Sequence, residues 1–112
     1  MQRGEVWWAN LAPPIGRRPV MLLSRNAVYP VRASVTVAVV TQTIRGIATE
    51  VPLDERDGMP ARCVVNLDDI LTVRKAALLQ PITTLTRDKL DQVRRAIAFA
   101  LDLSHEASNG DR

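Results

Sequence analysis

The sequence is poor in the side chains on which many enzymes depend, with one cysteine and one histidine among 112 residues. Cys63 cannot form a disulfide within the chain, so we expect it to be a small buried hydrophobic residue. His105 lies in a polar stretch beyond the last predicted helix, where nothing would hold a general base in place. The two serines beside predicted strands, Ser24 and Ser34, therefore lack a histidine partner, and nucleophilic catalysis of the triad type is not expected.

Several larger signals are also missing. No GxGxxG or P-loop pattern occurs, and no His, Cys and carboxylate cluster has ligand spacing, so neither a cofactor nor a metal site is predicted. Asp68 and Asp69 are adjacent at a predicted strand end, where neighbouring side chains diverge rather than share an ion. No run of 18 apolar residues appears, and the start MQRGEVWW has no apolar signal region. We therefore expect no membrane segment and interpret the protein as cytoplasmic.

Arginine is abundant and lysine scarce, at thirteen against two. Residues 1–45 carry six arginines against Glu5 alone, a net charge of +5, whereas the remainder carries −2 and the whole chain +3. Positive charge concentrated in one half of a chain can form a basic face for nucleic acid. A solvated arginine-rich surface would give the same count, so charge alone leaves both readings open.

Short β-prone segments separated by turn residues fill most of the chain. The segment before Arg17 ends in the turn Ala12–Gly16, and Val35–Thr41 is the strongest strand candidate. The strand with Pro52 is expected at a sheet edge, since proline lacks the amide donor. The predicted strands are 5–11, 19–24, 35–41, 49–53, 63–67 and 70–73.

One helix is predicted, over residues 87–103. Thr86 is a good N-cap, and Leu85 with Leu90 has the spacing of a hydrophobic staple. Its apolar stripe is broadened by Phe99 and Leu103, and either burial in the chain's own core or a partner surface would explain the extra breadth. The pattern predicts a mainly β protein with some α (α+β): a small, curved antiparallel β-sheet or barrel with a C-terminal helix. Residues 1–103 form a single domain in this interpretation, and 104–112 form a polar, disordered tail.

The adjacent residues Arg17 and Arg18 are the clearest functional signal. A guanidinium is a planar fork of donors that stays charged and matches phosphate oxygens, so the pair indicates a phosphodiester ligand. RNA supplies its own nucleophile, the 2′-hydroxyl beside the scissile phosphate. Arginines and one hydroxyl residue can therefore suffice for RNA cleavage, by orienting that hydroxyl and neutralising charge. DNA lacks the 2′-hydroxyl, so the same residues would bind DNA without cleaving it.

Four segments, in order, resemble the MazF/PemK toxins, the endoribonucleases of bacterial toxin–antitoxin pairs. They are RGEVWWANL, GRRPVMLLSRN, VTVAVVTQT and CVVNLDDILTV, followed by one closing helix, and together the similarity spans about residues 3 to 103. The resemblance implies an SH3-like antiparallel β-barrel that forms a homodimer. It also implies metal-independent, sequence-specific cleavage of single-stranded RNA, leaving 2′,3′-cyclic phosphate and 5′-hydroxyl ends. A cognate acidic, MazE-like antitoxin is the implied partner.

The resemblance also assigns roles to residues. The family's catalytic arginine falls on Arg18 and its catalytic threonine on Thr41, both acting on the scissile phosphate. Arg17 is expected to contact a flanking phosphate, because adjacent residues of an extended segment point to opposite sides. One of Trp7 and Trp8 is expected in the core and the other against a base, with Trp8 the candidate. The further candidate RNA-binding residues are Asn10, Gln42, Asn66 and Asp69.

One departure from the family pattern concerns the loop 12–17, which is shorter than usual and carries no acidic residue. This loop helps choose the substrate in the family, and no loop carboxylate can act here as acid or base. The short loop leaves open an RNA-binding barrel that does not cleave. A second alternative, which does not depend on the loop, is a related toxin-like barrel that binds a protein such as gyrase.

Overall fold

The computed structural model describes residues 1–103, so the predicted tail 104–112 and His105 lie outside the described residues. Within residues 1–103 the fold has six strands and one α-helix, with short 3₁₀ helices at Asn26–Val28, Glu55–Asp57 and Lys75–Ala77. The strands are β1 (Glu5–Asn10), β2 (Arg17–Leu22), β3 (Ser34–Thr41), β4 (Glu50–Leu53), β5 (Cys63–Arg74) and β6 (Leu78–Thr84), and the helix is α1 (Arg87–Ala100). The mainly β prediction with one C-terminal helix is confirmed.

The strands form one curled antiparallel sheet in the order β4-β5-β3-β2-β1-β6. Strand β4 lies at one end of this order, which agrees with the edge position predicted from Pro52. The two apolar faces of the sheet bury separate clusters. One cluster lies between the sheet and α1 and includes Met21, Val40, Val65 and Val93, and the other includes Val20, Val37 and Tyr29.

Strand β5 corrects the prediction of two separate strands at 63–67 and 70–73. The structure has one strand of 12 residues, because Ala38 pairs with Ile70 while its neighbour Val39 pairs with Asn66. Residues 67–69 are thus a bulge, which keeps the strand continuous while it bends. The bulge is held by Thr49, whose carbonyl accepts from the Leu67 amide at 2.8 Å and whose hydroxyl donates to Asp68 Oδ2 at 2.6 Å.

Strand β6 was not predicted, because Pro81 interrupts its pattern of apolar residues. The structure places β6 at the edge of the sheet, paired only with β1 among the described strands, where a proline is tolerated. Helix α1 ends at Ala100 rather than at residue 103, with Asp102 in the left-handed region at φ 55°. The predicted cap is confirmed, since Thr86 Oγ1 accepts from the Lys89 amide at 3.3 Å.

The two ends of the sheet are linked through the segment that follows β4. Thr83 of β6 donates its hydroxyl to the Asp57 carbonyl at 2.8 Å, and Lys89 of α1 donates to the Pro52 carbonyl at 2.6 Å. Gly58 lies against Thr83 with φ +90°, a conformation that L side chains rarely adopt. The first contact joins β6 to the segment after β4, and the second joins α1 to β4. Within residues 1–103, no helix is long and apolar enough to cross a membrane.

Candidate active site

The two arginines open strand β2 directly after a tight turn. The Leu11 amide donates to the Gly16 carbonyl at 3.0 Å, so the chain reverses between β1 and β2. Gly16 takes φ +70°, which favours glycine at this corner. In the β1–β2 ladder Arg17 pairs with Asn10 and Arg18 with Ala9. The arginines are therefore fixed to the end of the sheet by backbone pairing.

Two adjoining cavities lie at this end of the sheet. The larger cleft has a volume of about 430 Å³, and the smaller cavity has about 200 Å³. Arg18, Thr41 and Thr43 border both, so the two form one groove. The larger cleft is also lined by Trp8, Arg17, Pro19, Val40, Gln42, Met59, Pro60, Ala61 and Cys63, and the smaller cavity by Val39, Arg45, Asn66 and Asp69.

Arg18 and Thr41 meet because of the register between β2 and β3. Val20 pairs with Val39, and two residues further along each antiparallel strand are Arg18 and Thr41. Thr41 Oγ1 accepts a hydrogen bond from the Thr43 amide at 3.1 Å. A hydroxyl has one donor hydrogen, so with this acceptor site in use the hydrogen remains to be donated to a ligand oxygen. The structure thus brings together the two residues predicted to be catalytic, with a cationic fork beside a hydroxyl donor.

Arg17 and Trp8 form a second pair in the larger cleft. The Arg17 guanidinium lies 4.9 Å from the centroid of the Trp8 ring, within the range of a cation–π contact. Strand alternation predicts opposite sides for Arg17 and Arg18, yet both border the larger cleft because it opens at the margin of the sheet. Arg17 is exposed, whereas Arg18 is half-buried and reaches both cavities. The structure places Trp8 in the cleft. Trp7 packs against the apolar cluster that includes Val20 and Tyr29, and its indole N–H donates to Glu5 Oε1 at 2.8 Å.

The other predicted RNA-binding residues divide between the two cavities. Gln42 borders the larger cleft, and Asn66 and Asp69 border the smaller cavity. Asn66 Oδ1 accepts from the Asp68 amide at 3.0 Å, which leaves the side-chain NH₂ available to donate. Asn10 is exposed beside Arg17 and lines neither cavity. The bulge in β5 is what turns Asp69 toward the groove, an effect that strand alternation alone did not predict.

Sequence reasoning missed several residues that line the groove. The loop after β3 contributes Thr43 and Arg45, and the segment before β5 contributes Met59, Pro60 and Ala61. The sequence carried one signal for the first loop, since Arg45-Gly46 follows the strongest strand as a charged turn. The second segment reaches the groove only because the sheet curls, and no local pattern marks it.

The groove is electropositive. Within residues 1–103, none of Arg17, Arg18 and Arg45 forms an ion pair, and Asp69 is the one carboxylate in either lining. Uncompensated guanidiniums in a concave site concentrate positive potential and attract anions.

Cys63 forms part of the floor of the larger cleft, where it is buried as predicted. Burial raises the pKa of its thiol, and the nearby carboxylates of Asp57 and Asp54 raise it further. A thiol with a raised pKa is a poor nucleophile at neutral pH. No group of three or more side chains suited to a metal ion occurs in the part of the chain that the structure describes.

A small curled β-sheet with an arginine-lined groove at its end is typical of a module that binds a phosphodiester chain. Residues 2–101 match the family model described as PemK-like, MazF-like toxin of type II toxin-antitoxin system, and the chain belongs to this family.

Curated and solved relatives agree with this assignment. A Mycobacterium tuberculosis (strain ATCC 25618 / H37Rv) protein named "Probable endoribonuclease MazF5" is 43% identical over 103 residues, covering 91% of this chain and 94% of the relative. The structure of "Mycobacterium tuberculosis toxin MazF-mt6" is similar with a TM-score of 0.83 at 36% identity, over 89% of this chain and 98% of that one. A mycobacterial structure titled as an endoribonuclease with its cognate antitoxin has a TM-score of 0.83 at 30% identity, over 93% of this chain and 97% of that one. The barrel fold implied by the resemblance is thereby confirmed.

Proposed function

We propose that this protein is the toxin of a type II toxin–antitoxin pair and an endoribonuclease that cuts single-stranded RNA. The observation that supports this most strongly is the shared position of Arg18 and Thr41 at the junction of the two cavities. The names of the relatives point to the same activity, since the curated M. tuberculosis protein is named a probable endoribonuclease. The fold supplies the groove, and the arginines supply the charge that a phosphodiester requires.

In the proposed mechanism the RNA 2′-oxygen attacks the adjacent phosphorus, and the bond from phosphorus to the 5′-oxygen breaks. The products are a 2′,3′-cyclic phosphate and a 5′-hydroxyl, and the proton lost by the 2′-hydroxyl is balanced by the one that the 5′-oxygen gains. Arg18 binds the scissile phosphate and stabilises the charge that develops on the phosphorane, or takes part in the proton transfer. Thr41 donates its remaining hydrogen to a phosphate oxygen and orients it. Preorganised donors aimed at developing charge are among the strongest catalytic contributions.

The remaining groove residues are proposed to hold the RNA around the reacting phosphate. Trp8 presents a ring on which a base can stack, and Arg17 beside it can contact a flanking phosphate. Asn66 and Asp69 border the smaller cavity, where an amide and a carboxylate can pair with base edges. Gln42 borders the larger cleft, and Asn10 lies outside both cavities, paired with Arg17 in the β1–β2 ladder. Both are proposed as further RNA contacts.

Mapping of RNA ends after induction tests the function. We expect new 5′-hydroxyl ends that share one short sequence soon after the protein is expressed. DNA damage with intact RNA would instead support the alternative of a barrel that binds gyrase. Binding of RNA without new ends would support a module that does not cleave.

A homodimer is proposed from exposed apolar residues at the end of α1 and just after it. Phe99, Leu101 and Leu103 are 66%, 55% and 57% exposed, which is unusual for large apolar side chains so close together. A second copy of the chain would cover them. Light scattering at micromolar concentration should give twice the monomer mass, and a monomer would contradict the dimer.

An acidic antitoxin is the proposed protein partner. The groove is cationic, and a partly disordered acidic segment laid along it would be held by complementary charge. Such a segment would cover Arg18 and block RNA. Binding of an acidic antitoxin to the groove should therefore weaken as salt is raised.

A further inference from the structure

The smaller cavity contains an arginine that the proposed mechanism does not use. Arg45 borders this cavity together with Arg18 and Thr41, whereas Arg17 lies in the larger cleft. The half-buried Arg18 borders both cavities, so the three guanidiniums follow the groove with Arg18 in the middle. A phosphodiester chain that places one phosphate on Arg18 would pass Arg17 on one side and Arg45 on the other.

The backbone at Arg45 is held by the carboxylate of Glu50. The Arg45 amide donates to Glu50 Oε1 at 3.0 Å and to Oε2 at 3.3 Å, and the Gly46 amide donates to Oε1 at 2.9 Å. The loop closes on itself, because the Glu50 amide donates to the Ile47 carbonyl at 3.0 Å. Gly46 adopts φ +72°, the left-handed conformation that this corner needs. A carboxylate that accepts several backbone N–H groups fixes the loop without using the arginine side chain.

The charge arrangement leaves the Arg45 guanidinium for a ligand. Within residues 1–103, Arg45 forms no ion pair, and the carboxylate closest to it in sequence, Glu50, is engaged by backbone amides. Asp69 borders the same cavity, so the cavity is not uniformly attractive to anions. With Asn66 beside it, Asp69 suits the edge of a base, while Arg45 suits a phosphate.

We propose that Arg45 binds the phosphodiester next to the scissile one, and that Glu50 is the positioning residue that holds Arg45 over the smaller cavity. This inference rests on the proposed function, because it assumes that RNA lies in the groove. It extends that function by assigning a phosphate contact on the side opposite Arg17. It also gives Glu50, which lines neither cavity, a role in RNA affinity.

Binding of an RNA that cannot be cleaved tests the role of Arg45. The probe is a fluorescein-labelled pool of randomised single-stranded 2′-O-methyl RNA, and anisotropy is measured at several KCl concentrations. A contact between a charged donor and one phosphate predicts that Arg45→Ala weakens binding about tenfold. It also predicts that the slope of log affinity against log salt falls by about 0.7, the value for one phosphate on a single strand.

Two variants serve as controls for this measurement. Arg45→Lys keeps the charge and should keep the salt slope. Arg74→Ala removes an exposed arginine at the far end of the β3–β5 ladder, which borders neither cavity, and should bind as the wild type does. An unchanged affinity and slope for Arg45→Ala would overturn the proposal.

A double-mutant cycle tests Glu50. If Glu50 acts through Arg45, Glu50→Ala lowers affinity and slope as Arg45→Ala does, and the double variant loses little more than either single one. Glu50→Gln keeps an acceptor oxygen for the backbone amides and should retain most of the affinity. Additive losses in the cycle would refute the positioning role. Failure of the wild type to bind the probe would overturn the proposed function, whereas normal binding with an insensitive Arg45 would overturn this inference alone.

Discussion

Gly58 offers the sharpest structural test, because a methyl group there would collide with the strand that completes the barrel. A Cβ on Gly58 would collide with Thr83 Oγ1 and would lie 2.8 Å from Thr83 Cβ, and Gly58 has φ +90°. Gly58→Ala would therefore push β6 away from the 54–60 segment and break the hydrogen bond from Thr83 to the Asp57 carbonyl. That segment contains Met59 and Pro60 and leads into Ala61, and all three line the larger cleft, so the wall of the cleft would move as well.

A matched control separates the two contributions to the loss of stability in Gly58→Ala, which are backbone strain and steric clash. Gly46 has φ +72° but would place a Cβ with nothing within 4 Å, so Gly46→Ala carries the backbone strain alone. We expect that strain to cost about 1 kcal/mol. Overpacking adds about 1–3 kcal/mol and the lost hydrogen bond about 1 kcal/mol, so Gly58→Ala should lose about 3–5 kcal/mol. For a domain of this size, each kcal/mol lowers Tm by about 4–8 °C.

Equilibrium unfolding in urea, followed by tryptophan fluorescence at one fixed protein concentration, measures both variants. The expected result is a large loss of stability for Gly58→Ala and a small one for Gly46→Ala. In a Thr83→Ala background the extra loss at Gly58 should shrink, since the nearest atom is removed. Equal losses for the two glycine variants would refute the contact between the 54–60 segment and β6.

Three further predictions follow from the site and the cores. Thr41→Ser should keep most of the RNA cleavage rate, whereas Thr41→Val, which lacks the hydroxyl donor, should lower that rate by about 10²-fold. Equal rates for the two variants in single-turnover assays would contradict the donor role of Thr41. Burial raises the pKa of Tyr29 from 10.0 to about 12, so the stability that its neutral form contributes is complete below pH 10 and is lost as the pH rises towards 12. Between pH 10 and 12 the free energy of unfolding of Tyr29→Phe should therefore rise by about 2–3 kcal/mol relative to that of the wild type, as measured by urea titration. A difference between the two proteins that does not change with pH would contradict this prediction. Burial raises the pKa of the Cys63 thiol and also shields the thiol from reagents. Iodoacetamide at pH 8 should therefore label Cys63 slowly in the folded protein and rapidly in urea, and mass spectrometry measures both rates.

The parts of the fold that were predicted correctly are those with strong local signals. The side chains of Val35–Thr41 point alternately into the two apolar clusters, and the strand lies in the interior of the sheet. Thr86 caps α1, as its sequence context indicates. Strand β6 was missed because it depends on pairing with β1, a contact between distant parts of the chain, while Pro81 weakens its local pattern. The bulge in β5 was missed for a similar reason, since Thr49 stabilises it from a different loop.

The candidate site shows the same division. Arg18 was predicted from the arginine pair and the resemblance, and Thr41 from the resemblance alone. The register of β2 and β3 explains why the two residues meet. Arg45 was predicted only as part of a charged turn, because its place at the groove depends on hydrogen bonds to Glu50 that the local sequence does not indicate. Met59–Ala61 reach the larger cleft only through curling of the sheet.

Single-turnover cleavage by Arg18 variants tests the central claim most directly. The substrate is an RNA that contains the sequence found by end mapping, and the reaction contains EDTA. We predict full activity for the wild type and for Arg74→Ala, an intermediate rate for Arg18→Lys, and a loss of about 10²–10³-fold for Arg18→Ala. Full activity of Arg18→Ala, or a loss of wild-type activity in EDTA that magnesium restores, would contradict the account.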